Sequence, residues 1–238
     1  MSNKPFQFKE FTIQQNKTAM KVGTDGVLLG AWAQIKSEVF SVLDIGAGTG
    51  LIALMMAQKS NAEVIDAIEL NNDAYEQTVE NFENSDWGDR LFCYHASLQE
   101  FVDEIDDEYD LIISNPPFYT STYKEISEER AMARHTESLT YHELLEGTSK
   151  LLSEIGSCAF IIPFSEEENF IELAKQQKLF PNRITRVKGT ENSPIKRTLL
   201  QFSFSATETE IDELVIEIER HQYTSAYIKL VEDFYLKM

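Results

Sequence analysis

The tetrapeptide Asn115-Pro116-Pro117-Phe118 directly follows the apolar run Tyr109–Ser114. Two successive prolines cannot continue a strand ladder or a helix, and they push the residue before them toward an extended backbone. The apolar run is therefore predicted to be a buried strand that ends in a rigid turn. The Asn115 side chain is expected to point outward from the end of that strand.

This turn offers a specific set of recognition groups. The Asn115 amide supplies an acceptor oxygen, Pro116 a backbone carbonyl and Phe118 a flat ring. Together they would accept both N–H bonds of an exocyclic amine and stack the planar ring that carries it. The two bonds would also draw the amine's lone pair out of conjugation and expose it to an electrophile. The alternative is a loop that is merely stiffened by proline.

Composition limits the class of protein. The chain has 238 residues, 42% of them apolar and 11% aromatic, which suits one α/β domain. It contains no apolar run near the roughly 20 residues that span a bilayer, and residues 1–6 lack the apolar stretch of a signal peptide. Cys93 and Cys158 lack metal-ligand spacing and are expected to be buried thiols. We therefore expect a cytoplasmic monomer or weak dimer that binds neither membrane nor metal.

The net charge of −19 argues against a nucleic-acid partner, but the charge is unevenly distributed. Residues 100–110 hold seven acids and no base, and residues 208–219 hold six acids and no base. Six bases accompany a single acid, Glu191, in another segment: Lys178, Arg183, Arg186, Lys188, Lys196 and Arg197. Such a segment can steer an anionic substrate to one face. The alternative is that these are ordinary solvated faces.

Strands and helices alternate along most of the chain. The predicted strands are Ser41–Ile45, Glu63–Leu70, Leu91–His95, Tyr109–Ser114, Gly156–Pro163, Asn182–Val187 and Arg197–Ser205. The helices are predicted at Thr24–Ala33, Leu51–Lys59, Asp73–Asn84, Leu98–Ile105, Leu139–Leu152 and Glu166–Gln177. This alternation predicts a doubly wound, mostly parallel sheet, and the short last connection predicts an antiparallel hairpin. We expect one domain over 1–238, with 1–36 as an N-terminal lid segment and 208–238 as a C-terminal appendage.

A glycine-rich loop, Gly46-Ala47-Gly48-Thr49-Gly50, joins the first of these strands to the next helix. It departs from the dinucleotide fingerprint G-x-G-x-x-G/A, because Leu51 stands at the third position. Asp44, just before the loop, would repel a pyrophosphate but could hold an ammonium group. Glu69 lies at the end of the second strand and is placed to accept from two ribose hydroxyls. The loop therefore predicts a cationic nucleoside ligand.

These motifs resemble the class I S-adenosylmethionine (SAM) methyltransferases, and the NPPF turn resembles the signature of N6-adenine enzymes. The sequence is most similar to the bacterial tRNA1(Val) adenine-N6 methyltransferase family, which modifies adenosine 37. Further matching segments are Met20–Gly26, Ala133–His135, Pro194–Arg197 and Asp233–Met238. The resemblance implies an α/β, Rossmann-like seven-stranded mostly parallel sheet with an antiparallel final hairpin and helices on both faces. It also implies SAM as cofactor and tRNA as substrate.

The resemblance implies roles for individual residues. The residues expected to bind SAM are Asp44, Gly46, Gly48, Glu69, Thr24, Asp25 and Ser97, the last replacing an aspartate of many relatives. The residues expected to hold the target amine are Asn115, Pro116 and Phe118. The residues expected to meet RNA phosphates are Arg130, Arg134, Lys196 and Arg197. The alternatives are methylation of another planar amine, in rRNA guanine or protein glutamine, and a SAM-binding RNA adaptor without turnover.

Overall fold

The computed structural model of the protein describes residues 4–117 and 139–237. Its strands are β1 (Phe6–Gln7), β2 (Thr12–Ile13), β3 (Ser41–Ile45), β4 (Val64–Ile68), β5 (Leu91–Tyr94), β6 (Tyr109–Ser114), β7 (Leu152–Pro163), β8 (Phe180–Thr190), β9 (Ile195–Ser203), β10 (Glu210–Glu219) and β11 (Gln222–Tyr223). Its helices are α1 (Thr24–Trp32), α2 (Leu51–Lys59), α3 (Asn72–Glu83), α4 (Leu98–Glu104), α5 (Tyr141–Leu151), α6 (Glu167–Gln176) and α7 (Ser225–Val231).

The strands after the N-terminal hairpin β1–β2 form one sheet, in the order β11-β10-β8-β9-β7-β6-β3-β4-β5. The strands β7, β6, β3, β4 and β5 run parallel to one another. Strand β9 runs antiparallel between β7 and β8. The predicted mostly parallel sheet and its antiparallel hairpin are confirmed.

The predicted count of seven strands is wrong, because the sheet formed by the described residues has nine. The seven expected strands correspond to β3 through β9. Strand β10 adds to the open edge of β8 in parallel register, with Ile211 opposite Ile184. The short β11 then caps the outer edge of β10. An exposed β8 edge would leave a row of unpaired backbone groups, and this C-terminal extension covers it.

Helices cover both faces of the sheet, as predicted. On one face α1, α2 and the C-terminal α7 share a core that includes Leu29, Met55 and Val231. On the other face α4, α5 and α6 pack through residues such as Phe101, Leu145 and Phe170. Within the ranges that the structure describes, no helix has both the length and the apolar character needed to cross a membrane.

Helix α1 is held to the sheet by a chain of polar contacts. The Trp32 indole donates to the Thr185 hydroxyl at 2.8 Å, and that hydroxyl also contacts Asp212 of β10. At the end of α1, the Lys59 ammonium donates to the carbonyls of Gly30, Ala31 and Ala33. Burial lowers the pKa of Lys59 to about 8. These contacts satisfy the free carbonyls of the α1 C-terminus and fix the helix relative to α2 and the sheet.

Gly50 precedes α2 with φ +75°, and a β-carbon placed there would lie 2.7 Å from the Phe82 ring. We expect Gly50→Ala to lower the free energy of unfolding by about 2–5 kcal/mol, since backbone strain and overpacking add. Gly48→Ala is the control, because Gly48 also has positive φ but open space around it. The control should lose only about 1–2 kcal/mol in urea unfolding. Equal losses would show that the Phe82 contact contributes nothing.

Candidate active site

The carboxyl ends of three neighbouring parallel strands meet at one edge of the sheet. Strand β3 leads into Gly46, β4 into Glu69 and β6 into Asn115. The register pairs Asp44 with Ala67 of β4 and with Ile113 of β6. In open α/β sheets ligands bind beyond the carboxyl ends of the strands. The glycine loop, Glu69 and the NPP turn therefore lie at one edge of the sheet, which we call the binding edge.

The glycine loop turns through left-handed backbone conformations that favour glycine. Gly46 has φ +76° and Gly48 has φ +62°, and a β-carbon built at either one would meet no atom within 4 Å. The amides of Gly46 and Ala47 both donate to the Ile68 carbonyl, at 2.9 and 3.1 Å. The loop is therefore rigidly attached to β4 and leaves open space beside its glycines, where a ligand can approach the backbone.

Glu69 is fixed by the loop that it faces. Its carboxylate accepts from the Gly48 amide at 2.8 Å and from the Asn71 amide at 2.8 Å. Each carboxylate oxygen retains a second lone pair. The side chain is only partly buried, so the remaining acceptor capacity is available to a ligand with hydroxyl groups.

Asp44 is almost completely buried, with 1% of its surface exposed. One carboxylate oxygen accepts from the Ala53 amide at 3.1 Å. The other, Oδ1, has no hydrogen-bond partner among the described residues. Burial, reinforced by the nearby charge of Glu69 and opposed by the Ala53 amide, raises the pKa of Asp44 to about 7. A buried carboxylate oxygen without a partner is costly, so this site favours a ligand that brings a donor or a positive charge.

Polar residues of α3 support the loop from behind, and the sequence reasoning missed them. The Thr78 hydroxyl donates to the Gly48 carbonyl at 3.0 Å, and the Asn81 amide donates to the Thr49 carbonyl at 2.8 Å. Asn81 also exchanges two hydrogen bonds with the Gln14 backbone. The sequence pattern that could have revealed them is the presence of two polar residues, Thr78 and Asn81, close to the buried Phe82 on an amphipathic helix. These contacts join the glycine loop to the N-terminal segment.

The NPP turn begins at the end of β6, as predicted. Asn115 is partly buried, and its side-chain amide makes no hydrogen bond within residues 4–117 and 139–237. Just before it, the buried Ser114 hydroxyl donates to the Ile45 carbonyl at 2.7 Å. That bond ties the NPP turn to the residue that precedes the glycine loop. Pro116 is buried and Pro117 is exposed.

Thr24 and Asp25 lie at the start of α1, on the same edge of the sheet. Thr24 is exposed, whereas Asp25 forms an ion pair with Arg197 at 2.8 Å. Arg197 lies near the start of β9, opposite Pro163 at the carboxyl end of β7. The pair therefore links the first turn of α1 to the final hairpin. Arg197, expected at an RNA phosphate, has Asp25 as a protein partner, and its contact with RNA stays a prediction. The pair holds Asp25 beside the binding edge.

Ser97 is the N-cap of α4. Its hydroxyl accepts from the Glu100 amide and donates to the Glu100 carboxylate in a capping box. These bonds occupy the hydroxyl, so the structure gives Ser97 a clear structural role. Its role toward a cofactor stays a prediction. The neighbouring His95 ring stacks on Tyr75 with centroids 5.1 Å apart and contacts the Leu70 carbonyl.

The remaining residues predicted to contact RNA or the target base lie in different environments. Lys196 is exposed beside Arg197 at the start of β9. Arg186 and Lys188 are paired with Glu167 and Glu213, each at 2.7 Å. Phe118, Arg130 and Arg134 lie outside the described residues.

Comparison with known proteins identifies the family of this chain. Residues 23–162 match the model of the family described as the methyltransferase small domain. The chain is 62% identical, over the full length of both chains, to a tRNA1(Val) (adenine(37)-N6)-methyltransferase of Christiangramia forsetii. A protein of the same name from Flavobacterium johnsoniae is 61% identical over 98% of this chain and all of its own. The chain belongs to this methyltransferase family.

The fold agrees with that assignment. A solved structure described as a predicted O-methyltransferase from Agrobacterium tumefaciens matches with a TM-score of 0.68 and 16% identity, over 88% of this chain and 96% of that one. At that identity the likeness concerns the fold alone. In this methyltransferase the glycine loop, Glu69 and the NPP turn occupy the carboxyl edge of the sheet.

The Ser114 hydroxyl generates a prediction for this methyltransferase. Ser114→Ala removes a buried hydrogen bond and should lower the free energy of unfolding by about 1–3 kcal/mol. Turnover should also fall, because Asn115 is no longer tied to the glycine-loop strand. The matched control is Ser41→Ala, whose hydroxyl makes only 3.3 Å contacts at the opposite end of β3. The Ser114 hydroxyl has no positioning role if both variants unfold and turn over alike.

Proposed function

We propose that the protein transfers a methyl group from S-adenosylmethionine to the exocyclic N6 of adenosine 37 in tRNA1(Val). The observation that carries the proposal is the Asn115-Pro116-Pro117 turn, held by Ser114 beside an open glycine loop on one sheet edge. The curated relatives at 62% and 61% identity bear the name of this activity. Fold, family and site chemistry thus support the same reaction.

The residues present suit the cofactor. The unpartnered, buried Asp44 oxygen fits a cationic amine, and the space beside Gly46 and Gly48 fits a ligand that approaches the backbone. The remaining lone pairs of Glu69 fit ribose hydroxyls. When bound, S-adenosylmethionine supplies an electrophilic methyl group. Thr24 and Asp25 at the start of α1 would close over this ligand, with residues 1–36 acting as a lid.

The target amine is held by the NPP turn. The Asn115 oxygen and the Pro116 carbonyl each accept one N–H bond of the adenine amine, which leaves the nitrogen lone pair directed toward the methyl donor. Phe118 would stack on the base, and stacking of a base on an aromatic ring contributes about 1–3 kcal/mol. The adenine must leave its stack to reach the turn, which costs a few kcal/mol and less for a loop base. Positioning therefore supplies most of the catalysis.

Few bases remain for the RNA backbone. Lys196 is exposed near the start of β9, at the same edge of the sheet as the turn, and Arg130 and Arg134 are the other predicted candidates. Arg197 can contribute only together with its Asp25 pair. Because each neutralised phosphate adds about −0.7 to −0.9 to the logarithmic salt slope, we expect a shallow salt dependence of tRNA binding.

The test of the proposed function is the identity of the product. Purified protein, S-adenosylmethionine and unmodified tRNA1(Val) should yield N6-methyladenosine at position 37, detected by nucleoside mass spectrometry. A product methylated at guanine N2 or at a protein glutamine would show that the substrate is not the adenine of tRNA. SAM binding without any product would favour an adaptor without turnover.

Asn115→Ala should lower turnover roughly 100-fold, because the variant lacks an acceptor that orients the amine in the transition state. Cofactor affinity and the unfolding midpoint should stay near the wild-type values. Asn115→Asp keeps an acceptor oxygen and should retain part of the activity. Asn61→Ala is the matched control, since Asn61 is exposed before β4 at the opposite edge. Near wild-type turnover in Asn115→Ala would refute the amine site.

The Asp44 carboxyl predicts a pH dependence of cofactor binding. In the folded protein it is uncharged below a pKa of about 7, so an ammonium ligand must displace a proton there. Affinity for S-adenosylmethionine should therefore fall as pH is lowered below 7, by up to about tenfold per pH unit. Calorimetric titrations between pH 5.5 and 7.5 measure this slope.

Two variants control that measurement. Asp44→Asn cannot titrate and should bind weakly with a flat pH profile. Asp66→Asn removes another buried carboxylate, which accepts a 2.6 Å bond from Tyr109, and should keep the wild-type slope. A flat profile in the wild-type protein would contradict the assignment of Asp44 to the ammonium group.

A further inference from the structure

We propose that Phe164 is a second stacking residue, which binds the base of a nucleotide next to the target adenosine. This inference rests on the proposed function and deepens it, since it concerns how the same site selects its RNA. Phe164 follows the last residue of β7, and 37% of its surface is exposed.

The register of the sheet places Phe164 beside the NPP turn. Strands β6 and β7 are parallel, with Ser114 opposite Phe160. Three further residues of β7 extend past this pair toward the same edge, and Phe164 then begins a short 3-10 helix. Adjacent strands lie about 4.8 Å apart and each residue rises about 3.3 Å, so the Phe164 backbone lies at the same edge as Asn115, about 11 Å from it, a separation on the scale of neighbouring nucleotides. On the far side, Pro163 pairs with Arg197 of β9.

The ring is backed by a cation that is itself rigidly held. The Arg186 guanidinium lies over Phe164, 5.6 Å from the ring centroid. Its Nε and Nη2 both donate to Glu167, at 3.2 and 2.7 Å. Glu167 is buried and also accepts from the Thr198 hydroxyl at 2.7 Å. Arg186, Glu167 and Thr198 thus fix one side of the ring.

An exposed Phe164 ring supported on one side by Arg186 is better suited to stacking on a nucleic-acid base than to packing in the protein core. An exposed aromatic ring with fixed support loses little conformational entropy when a base stacks on it. Every base has a π face, so stacking here adds affinity without demanding one particular sequence. A displaced loop base leaves its neighbours unstacked, and they need a new surface. Phe164 offers that surface beside the target site.

Four variants of Phe164 and one control separate stacking from packing. Phe164→Ala should weaken binding to an anticodon stem-loop RNA roughly 5- to 100-fold, and raise the apparent KM for tRNA more than it lowers kcat. Phe164→Leu keeps an apolar side chain and should show the same loss, whereas Phe164→Tyr and Phe164→Trp should recover affinity. S-adenosylmethionine affinity should not change. Phe40→Ala, another exposed aromatic but before β3 at the opposite edge, should bind RNA normally.

A protein–RNA double-mutant cycle then identifies the contact. Stem-loops carry an abasic site immediately 5′ or 3′ of the target adenosine. If Phe164 stacks on that base, the abasic site weakens binding to the wild type but has no further effect on Phe164→Ala. Additive losses at both flanking positions, or full affinity in Phe164→Leu, would overturn the inference and leave Phe164 a packing residue.

The binding readout does not depend on the product. Coupling without N6-methyladenosine would refute the proposed function and support the stacking residue. N6-methyladenosine without coupling would overturn the stacking residue alone. Failure of the wild type to bind the stem-loop would overturn both.

Discussion

The common direction of β3, β4 and β6 is the constraint on which the site depends. Parallel neighbours end at the same edge, and their register places Asp44 between Ala67 and Ile113. The three turns that follow these strands are consequently adjacent in space although they are far apart in the chain. A one-residue slip of β6 would direct its side chains to the opposite faces and displace the NPP turn from the glycine loop. The Ser114–Ile45 hydrogen bond holds that relation at its most sensitive point.

The buried carboxyl of Asp44 is less favourable in the free protein than in a complex. Burial raises its pKa to about 7, and one of its oxygens lacks a partner among the described residues. A positively charged ligand would offset the cost of burying this carboxylate, because opposite charges attract strongly in a poorly solvated site. Glu69 differs, since two backbone amides already satisfy part of its carboxylate. The two acids therefore have distinct environments on the same edge.

The basic segment near the final hairpin serves largely to hold the protein together. Arg186 is held by Glu167 and lies over the Phe164 ring. Lys188 pairs with Glu213 across β8 and β10, and Arg197 pairs with Asp25. Charge counts along a sequence do not distinguish a base that faces solvent from one that is already paired. The start of β9 nonetheless lies at the same edge of the sheet, separated from β6 by β7, so the paired bases shape the binding edge indirectly. This use of cations fits a protein with a net charge of −19.

The sequence by itself determined the order of strands and helices, the glycine loop and the turn at Asn115, because proline and glycine act on the backbone locally. The positions of Asp44 and Glu69 beside the loop predicted their ligand-binding roles, and the family resemblance added S-adenosylmethionine as the expected ligand. Only the tertiary structure decided that β10 extends the sheet, that Arg197 pairs with Asp25 and that Phe164 is exposed over Arg186. These features join segments distant in the chain, and such pairings depend on register and on competition between partners, which local patterns do not specify.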